Sequence, residues 1–157
     1  MLTSEVKEAL KASKAGITLI ITVGNSLRSD DGLGPYIAGK FKQTGNGYLL
    51  LDAGDKPENV VDKAVDYKPA KTVIIDAADF GGAAGEVRII PEEAIPDSTL
   101  STHAFPLRVI SKIIADDTGS KVLFIGVQSK NIALGEKMSG EVKVAAEELL
   151  KCMKCTC

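Results

Sequence analysis

The sequence predicts an α/β fold: a three-layer α/β/α sandwich whose mostly parallel, twisted sheet has about five strands and one antiparallel edge strand. Short β-branched apolar runs alternate with apolar residues at helical spacing along the chain. Most gaps between runs are long enough for a crossover helix. One gap, Gly81-Gly82-Ala83-Ala84-Gly85, is too short, so the strand after it must turn back along an edge.

Residues 17–23, 48–51, 72–75, 86–90 and 122–127 carry the strand pattern. Leu33, Ile37 and Phe41 recur every four positions around Pro35, a residue suited to a first helical turn. Asp55-Lys56-Pro57-Glu58 reads as a capped helix start, with Val60, Val61, Ala64 and Val65 as its buried stripe and Pro69 as its limit. Leu107, Ile110, Ile113 and Ile114 form a third stripe beyond Pro106. Ser139-Gly140-Glu141 opens a fourth helix, which carries Val142, Ala145, Ala146 and Leu149. Residues 3–15 read as a short extra helix. No repeat or low-complexity linker divides the 157 residues, so a single domain, 1–157, is expected.

Charged residues make up 25% of the chain and the formal net charge is −2, which favours neither nucleic acid nor an anionic membrane as partner. The longest apolar run falls far short of the roughly 20 residues of a membrane helix, and residues 1–16 lack a signal-peptide core. A cytoplasmic protein is expected. All three cysteines, Cys152, Cys155 and Cys157, crowd the last six residues, where they cannot form a disulfide framework. They read as an incidental tail or as a thiolate metal clamp, the latter needing a fourth ligand that the sequence does not visibly supply.

The chemistry concentrates after the first strand, in Gly24-Asn25-Ser26-Leu27-Arg28-Ser29-Asp30-Asp31-Gly32-Leu33-Gly34. Adjacent anions repel unless a cation, a helix start or water accepts one of them. Ligands of open parallel sheets collect outside the carboxyl ends of the strands. Asp31 follows the first strand and Asp76 ends the third, so both belong to one rim. His103, the chain's single histidine, precedes the helix after the fourth strand, and residues 91–100 are long enough to bring it back to that rim. Two carboxylates and an imidazole suit a borderline divalent cation such as nickel, zinc or manganese. Each member also has a plainer reading: a helix cap for Asp30 or Asp31, a strand-end residue for Asp76, an Asx turn for Asp79 and a structural role for His103. The glycines match neither the dinucleotide fingerprint nor a phosphate loop.

The residues Gly24-Asn25-Ser26-Leu27, Asp30-Asp31-Gly32-Leu33-Gly34, Asp52-Ala53-Gly54, Pro57-Glu58-Asn59, Ile75-Asp76-Ala77-Ala78-Asp79, Gly85-Glu86-Val87-Arg88 and Thr102-His103 resemble the hydrogenase maturation endopeptidases. The resemblance spans residues 17–150, leaving 1–16 and the cysteine-containing tail, 151–157, outside it. It implies an α/β/α sandwich and an enzyme that removes the C-terminal extension of a nickel-iron hydrogenase large-subunit precursor after nickel insertion. It also implies that Asp31, a position that is Asp or Glu in the family, holds nickel together with Asp76 and His103. The nickel would be brought by the precursor and absent from the free protein. Residues 52–55 resemble the family's mobile loop beside the metal, with Ala53 where a glycine is common. Asn25, Asp52, Gly54 and Asp55 are therefore expected to contact substrate, with Asp30 and Asp79 in support and either one open as a base. A serine or cysteine triad would need the same imidazole, so the metal, or a water it activates, is expected to assist hydrolysis.

Two rival functions use the same residues. A receiver-like domain would bind magnesium with Asp30 and Asp31 and accept a phosphoryl group on Asp76, although Phe124-Ile125-Gly126-Val127-Gln128 lacks the lysine such domains place after the last strand. A non-catalytic nickel chaperone would bind the precursor without cutting it.

Overall fold

The computed structural model describes residues 1–42, 47–95 and 107–154. Strands β1 (Thr18–Val23), β2 (Tyr48–Gly54), β3 (Lys71–Ala78), β4 (Val87–Ile89) and β5 (Lys121–Gln128) form one sheet in the order β2-β1-β3-β5-β4. The pairs β1–β2, β1–β3 and β3–β5 are parallel, and β4 runs antiparallel along β5 at the edge, as the glycine-rich link requires.

Side-chain alternation divides the core between the two faces of the sheet. Ile20, Val73, Ile75 and Ile125 pack with α1 (Ser4–Leu10), α2 (Leu33–Lys40) and α5 (Gly140–Lys154). Leu19, Ile21, Ile74 and Phe124 pack with α3 (Val61–Asp66) and α4 (Leu107–Thr118). The central strands are therefore apolar on both sides, and β1 is buried throughout. The five strands and the layered architecture agree with the sequence pattern.

Several details differ. The N-terminal helix ends at Leu10 rather than residue 15, after a start capped by the Thr3 hydroxyl on the Val6 N–H. Asp55 does not occupy a cap: Lys56 is the N-cap of a 3-10 turn, Pro57–Val60, and makes no side-chain cap bond. The α-helix after that turn has only six residues, and Ala64 is its buried member. In α4, Ser111 is buried and Ile113 half-buried, a rotation of the expected stripe by a fraction of a turn. Among the described residues no helix is long and apolar enough to cross a membrane.

Candidate active site

The carboxyl ends of β1, β2 and β3 lie side by side, and the turn after β1 folds back over them. Glycine is mandatory where that fold is tightest. A Cβ on Gly24, whose φ is +146°, would stand 1.9 Å from the Asp31 carbonyl oxygen, and one on Gly34 would stand 2.2 Å from that of Val23. The Gly24 N–H donates to the Gly54 carbonyl at 2.7 Å, joining the turn to the end of β2. The next helical element is a 3-10 turn, Ser29–Gly32, which carries both acids.

Asp30 and Asp31 are each 0% exposed, yet their surroundings differ. Asp30 Oδ2 accepts the N–H groups of Lys130 at 2.7 Å and Asn131 at 2.9 Å, while Oδ1 accepts that of Ser139 at 2.7 Å. Ser139 immediately precedes α5, so this carboxylate sits at the positive end of that helix. Desolvation pushes the Asp30 carboxyl up, but the N–H groups of Ser139, Asn131 and Lys130 outweigh it and hold the group below the ordinary aspartate value. Asp30 is a clasp on the loop after β5. Neither acid caps α2, whose N-cap is Gly32 without a side-chain cap bond.

Asp31 has a different partner: its Oδ2 accepts the Asn25 N–H at 3.0 Å. The turn that carries it packs against β3, which carries Asp76. Asp76 is 1% exposed and lies opposite Gly126 of β5. It stands two residues inside β3 rather than at its end, because pairing with β5 continues to Ala78 and Gln128. Alternation puts Asp76 on the face of Ile74, which is the α3–α4 side.

Asp52 and Gly54 belong to β2, which is longer than the sequence pattern indicated. Thr22 pairs with Asp52 and Val23 with Gly54, so Ala53 is an extra residue, a bulge that bends the strand end over Val23. Asp52 Oδ1 accepts the Thr22 hydroxyl at 3.2 Å and the Gly54 N–H at 3.1 Å. Asp52 and Asp55 are exposed, and Asn25 is half-buried. Asp79 makes the anticipated Asx turn, with Oδ1 accepting the Gly81 N–H at 3.2 Å.

Gln128 escaped the sequence reading. Its Oε1 accepts the N–H groups of Phe80 at 2.9 Å and Gly82 at 3.1 Å, and its Nε2 donates to Asp79 Oδ1 at 3.1 Å, which ties the loop after β3 to the end of β5. An amide at the end of an otherwise apolar strand was the available signal.

His103 lies outside the described residues, as do Cys155 and Cys157. The helix that follows the histidine, α4, begins at Leu107 and packs on the 3-10 turn after β2. Leu107 shares a core cluster with Val23, Ala53 and Val60, residues at the carboxyl ends of β1 and β2 and in that turn. The first residue of α4 therefore belongs to the core on the Asp76 side of the sheet.

A family model for HycI, the hydrogenase maturation protease, matches residues 35–154. The hydrogenase 3 maturation protease of Escherichia coli (strain K12) is 33% identical over 131 residues, covering 82% of this chain and 83% of the relative. A crystal structure of the NiFe hydrogenase maturation protease HycI from Thermococcus kodakarensis KOD1 superposes with a TM-score of 0.81 at 31% identity, covering 96% of this chain and 99% of that one. The solution structure of the endopeptidase HycI from Escherichia coli gives 0.76 at 32% identity, covering 86% and 87%.

Proposed function

The chain belongs to the HycI hydrogenase maturation protease family, and from that premise we propose that it removes the C-terminal extension of a nickel-iron hydrogenase large-subunit precursor after nickel insertion. In this reading the precursor's nickel is the recognition element, held by Asp31, Asp76 and His103. One observation carries it: two carboxylates from different elements, Asp31 and Asp76, are both withdrawn from water on packed neighbours at the carboxyl rim. Burying two anions on elements packed against each other costs free energy that a divalent cation offsets. The donor set of two oxygens and an imidazole suits nickel.

Each residue then has a defined task. The Asn25 N–H fixes the orientation of the Asp31 carboxylate, and the β3–β5 pairing fixes Asp76. Asp30 spends both oxygens on backbone N–H groups, which suits a scaffold rather than a base. Asp79 is held by Gly81 and Gln128 in the same supporting way. Asn25, Asp52, Gly54 and Asp55 line the adjoining corner and contact the precursor peptide. When the precursor is seated, its nickel supplies Lewis-acid polarisation for peptide hydrolysis. The cytoplasm is the compartment this reading implies, and neither nucleic acid nor membrane takes part.

The rival readings lack comparable support. Receiver-like sheets run 2-1-3-4-5 with parallel strands, whereas β4 here is antiparallel and β5 ends on Gln128, not lysine. A non-catalytic chaperone fits poorly beside relatives named proteases and endopeptidases. The deciding experiment incubates purified protein with the large-subunit precursor, with and without nickel, and follows intact mass. Loss of the C-terminal extension is expected only from nickel-loaded precursor, with Asp31→Asn, Asp76→Asn and His103→Ala each slowing it about a hundredfold or more. Equal cutting of nickel-free precursor, or a His103→Ala variant at the normal rate, overturns metal recognition.

A further inference from the structure

The end of the sheet opposite the rim carries a cavity that the proposed function does not use. Its volume is about 620 Å³, within the range that holds small ligands. Tyr48 lines it and is the first residue of β2, so the cavity stands at the amino ends of the parallel strands. The remaining walls come from the N-terminal residues through α1, from the link between α1 and β1, and from the end of α5. The first two of these precede residue 17, where the family resemblance begins.

Two kinds of surface meet in this cavity. One is apolar: Leu2 and Tyr48 belong to the core at 7% and 2% exposure, and Ala12 and Cys152 pack against that core. The Tyr48 hydroxyl already donates to the Leu10 carbonyl. The other surface is cationic, supplied by the exposed side chains of Lys7, Lys11, Lys14 and Lys151. Lys11 is paired with Glu8 at 2.6 Å, whereas Lys7, Lys14 and Lys151 form no ion pair among the described residues. Glu148, the acid in the lining, is engaged by the Met1 amino group at 3.3 Å. On a chain whose formal net charge is −2, four lysines around one concavity run against the average. Like charges beside an apolar wall repel one another, and an anion among them relieves that repulsion.

We propose that this cavity binds a small amphipathic anion, with its apolar body against Leu2 and Tyr48 and its carboxylate, sulfonate or phosphate head among the lysines. The site is separate from the hydrolytic rim and stands whether or not the protease reading does. Burial of the apolar body supplies affinity, and the ammonium groups select for charge through charge-assisted hydrogen bonds. An occupant touches α1, its link, β2 and α5 together, so binding stabilises the folded chain by mass action.

The test titrates the full chain with anilinonaphthalene sulfonate, whose fluorescence rises on leaving water, and with phenylnaphthylamine, its uncharged analogue. Saturable binding of the sulfonate is expected at about ten micromolar, with the uncharged analogue about fivefold weaker or more. Dodecanoate, an aliphatic carboxylate, should displace the sulfonate and raise the thermal midpoint. Lys14→Glu and Lys151→Glu should each weaken binding about fivefold and the double variant about thirtyfold. Both side chains are exposed, so circular dichroism should stay unchanged. Cys152 reports the location: bound sulfonate should slow its alkylation by iodoacetamide about fivefold. Trypsin cuts after Lys151 and Lys154, which separates that label from Cys155 and Cys157. Equal affinity for the uncharged analogue, an insensitive double variant or an unprotected Cys152 overturns the site. So does the absence of saturable binding, or binding to anionic phospholipid vesicles without binding of the monomeric sulfonate. Failure of the chain to cut a precursor leaves these readouts unaltered and removes the protease reading alone.

Discussion

Two acid-bearing corners flank the end of β1, and they are built in opposite ways. In the turn Ser29–Gly32 both carboxylates are sealed from solvent, and Asp30 is held by three backbone N–H groups. At the end of β2, Asp52 and Asp55 stand exposed, and the bonds of Asp52 are local, to Thr22 and Gly54. A buried anion must have its lone pairs filled by the protein or by a cation, whereas an exposed one is served by water. In the proposed function that difference separates scaffold and ligand from peptide contact. The first corner is expected to punish substitution in stability or in metal binding, and the second only in substrate affinity.

The largest effect should come from the glycine that permits the first corner. Gly24→Ala forces a Cβ to within 1.9 Å of the Asp31 carbonyl, and a stability loss above about 4 kcal/mol is expected in urea denaturation, or failure to fold. The two adjacent acids should then part company. Asp30→Ala leaves three N–H groups without their acceptor and should cost about 3 kcal/mol in the same measurement. Asp31→Asn retains an oxygen for Asn25 and should cost less than about 1 kcal/mol while abolishing cleavage. Equal stability losses at the two positions would erase the distinction between clasp and ligand.

Smaller effects sharpen the comparison. Gln128→Leu removes the acceptor shared by Phe80 and Gly82 and should cost about 1 to 2 kcal/mol by thermal denaturation, with cleavage reduced through displacement of the loop after β3. Asp52→Asn should shift stability by no more than about 0.5 kcal/mol, because the residue is exposed, yet raise KM for the precursor. A stability loss at Asp52 as large as that at Asp30 would make the second corner structural as well.

Much of this architecture was legible in the chain. Strand runs, helical stripes and the one short glycine link led to a five-stranded sheet with an antiparallel edge, since each depends on local periodicity and on link length. Of the loop expected over residues 52–55, residues 52–54 belong instead to β2. Pairing of Asp52 with Thr22 and of Gly54 with Val23, around a bulge at Ala53, carries β2 past residue 51, and cross-strand pairing leaves no local mark in the sequence.

The site was legible as a set of residues rather than as a division of labour. Asp30 and Asp31 are identical in type and adjacent in position, so local pattern does not distinguish them, and only the family resemblance singled out Asp31. Their roles separate only when residues 130 to 139 arrive from a hundred positions away and claim one carboxylate. The bonds of Gln128 are long-range in the same sense.

By itself, then, the sequence determined the fold class, the glycine-framed acids and the order of the elements, because apolar periodicity and chain connectivity are local properties. Only the tertiary structure decided that the Asp30 carboxylate is consumed by the loop after β5 while that of Asp31 takes the Asn25 N–H, and that Gln128 ties down the loop after β3. Those outcomes depend on backbone groups far apart along the chain, whose meeting is settled by packing and hydrogen-bond geometry.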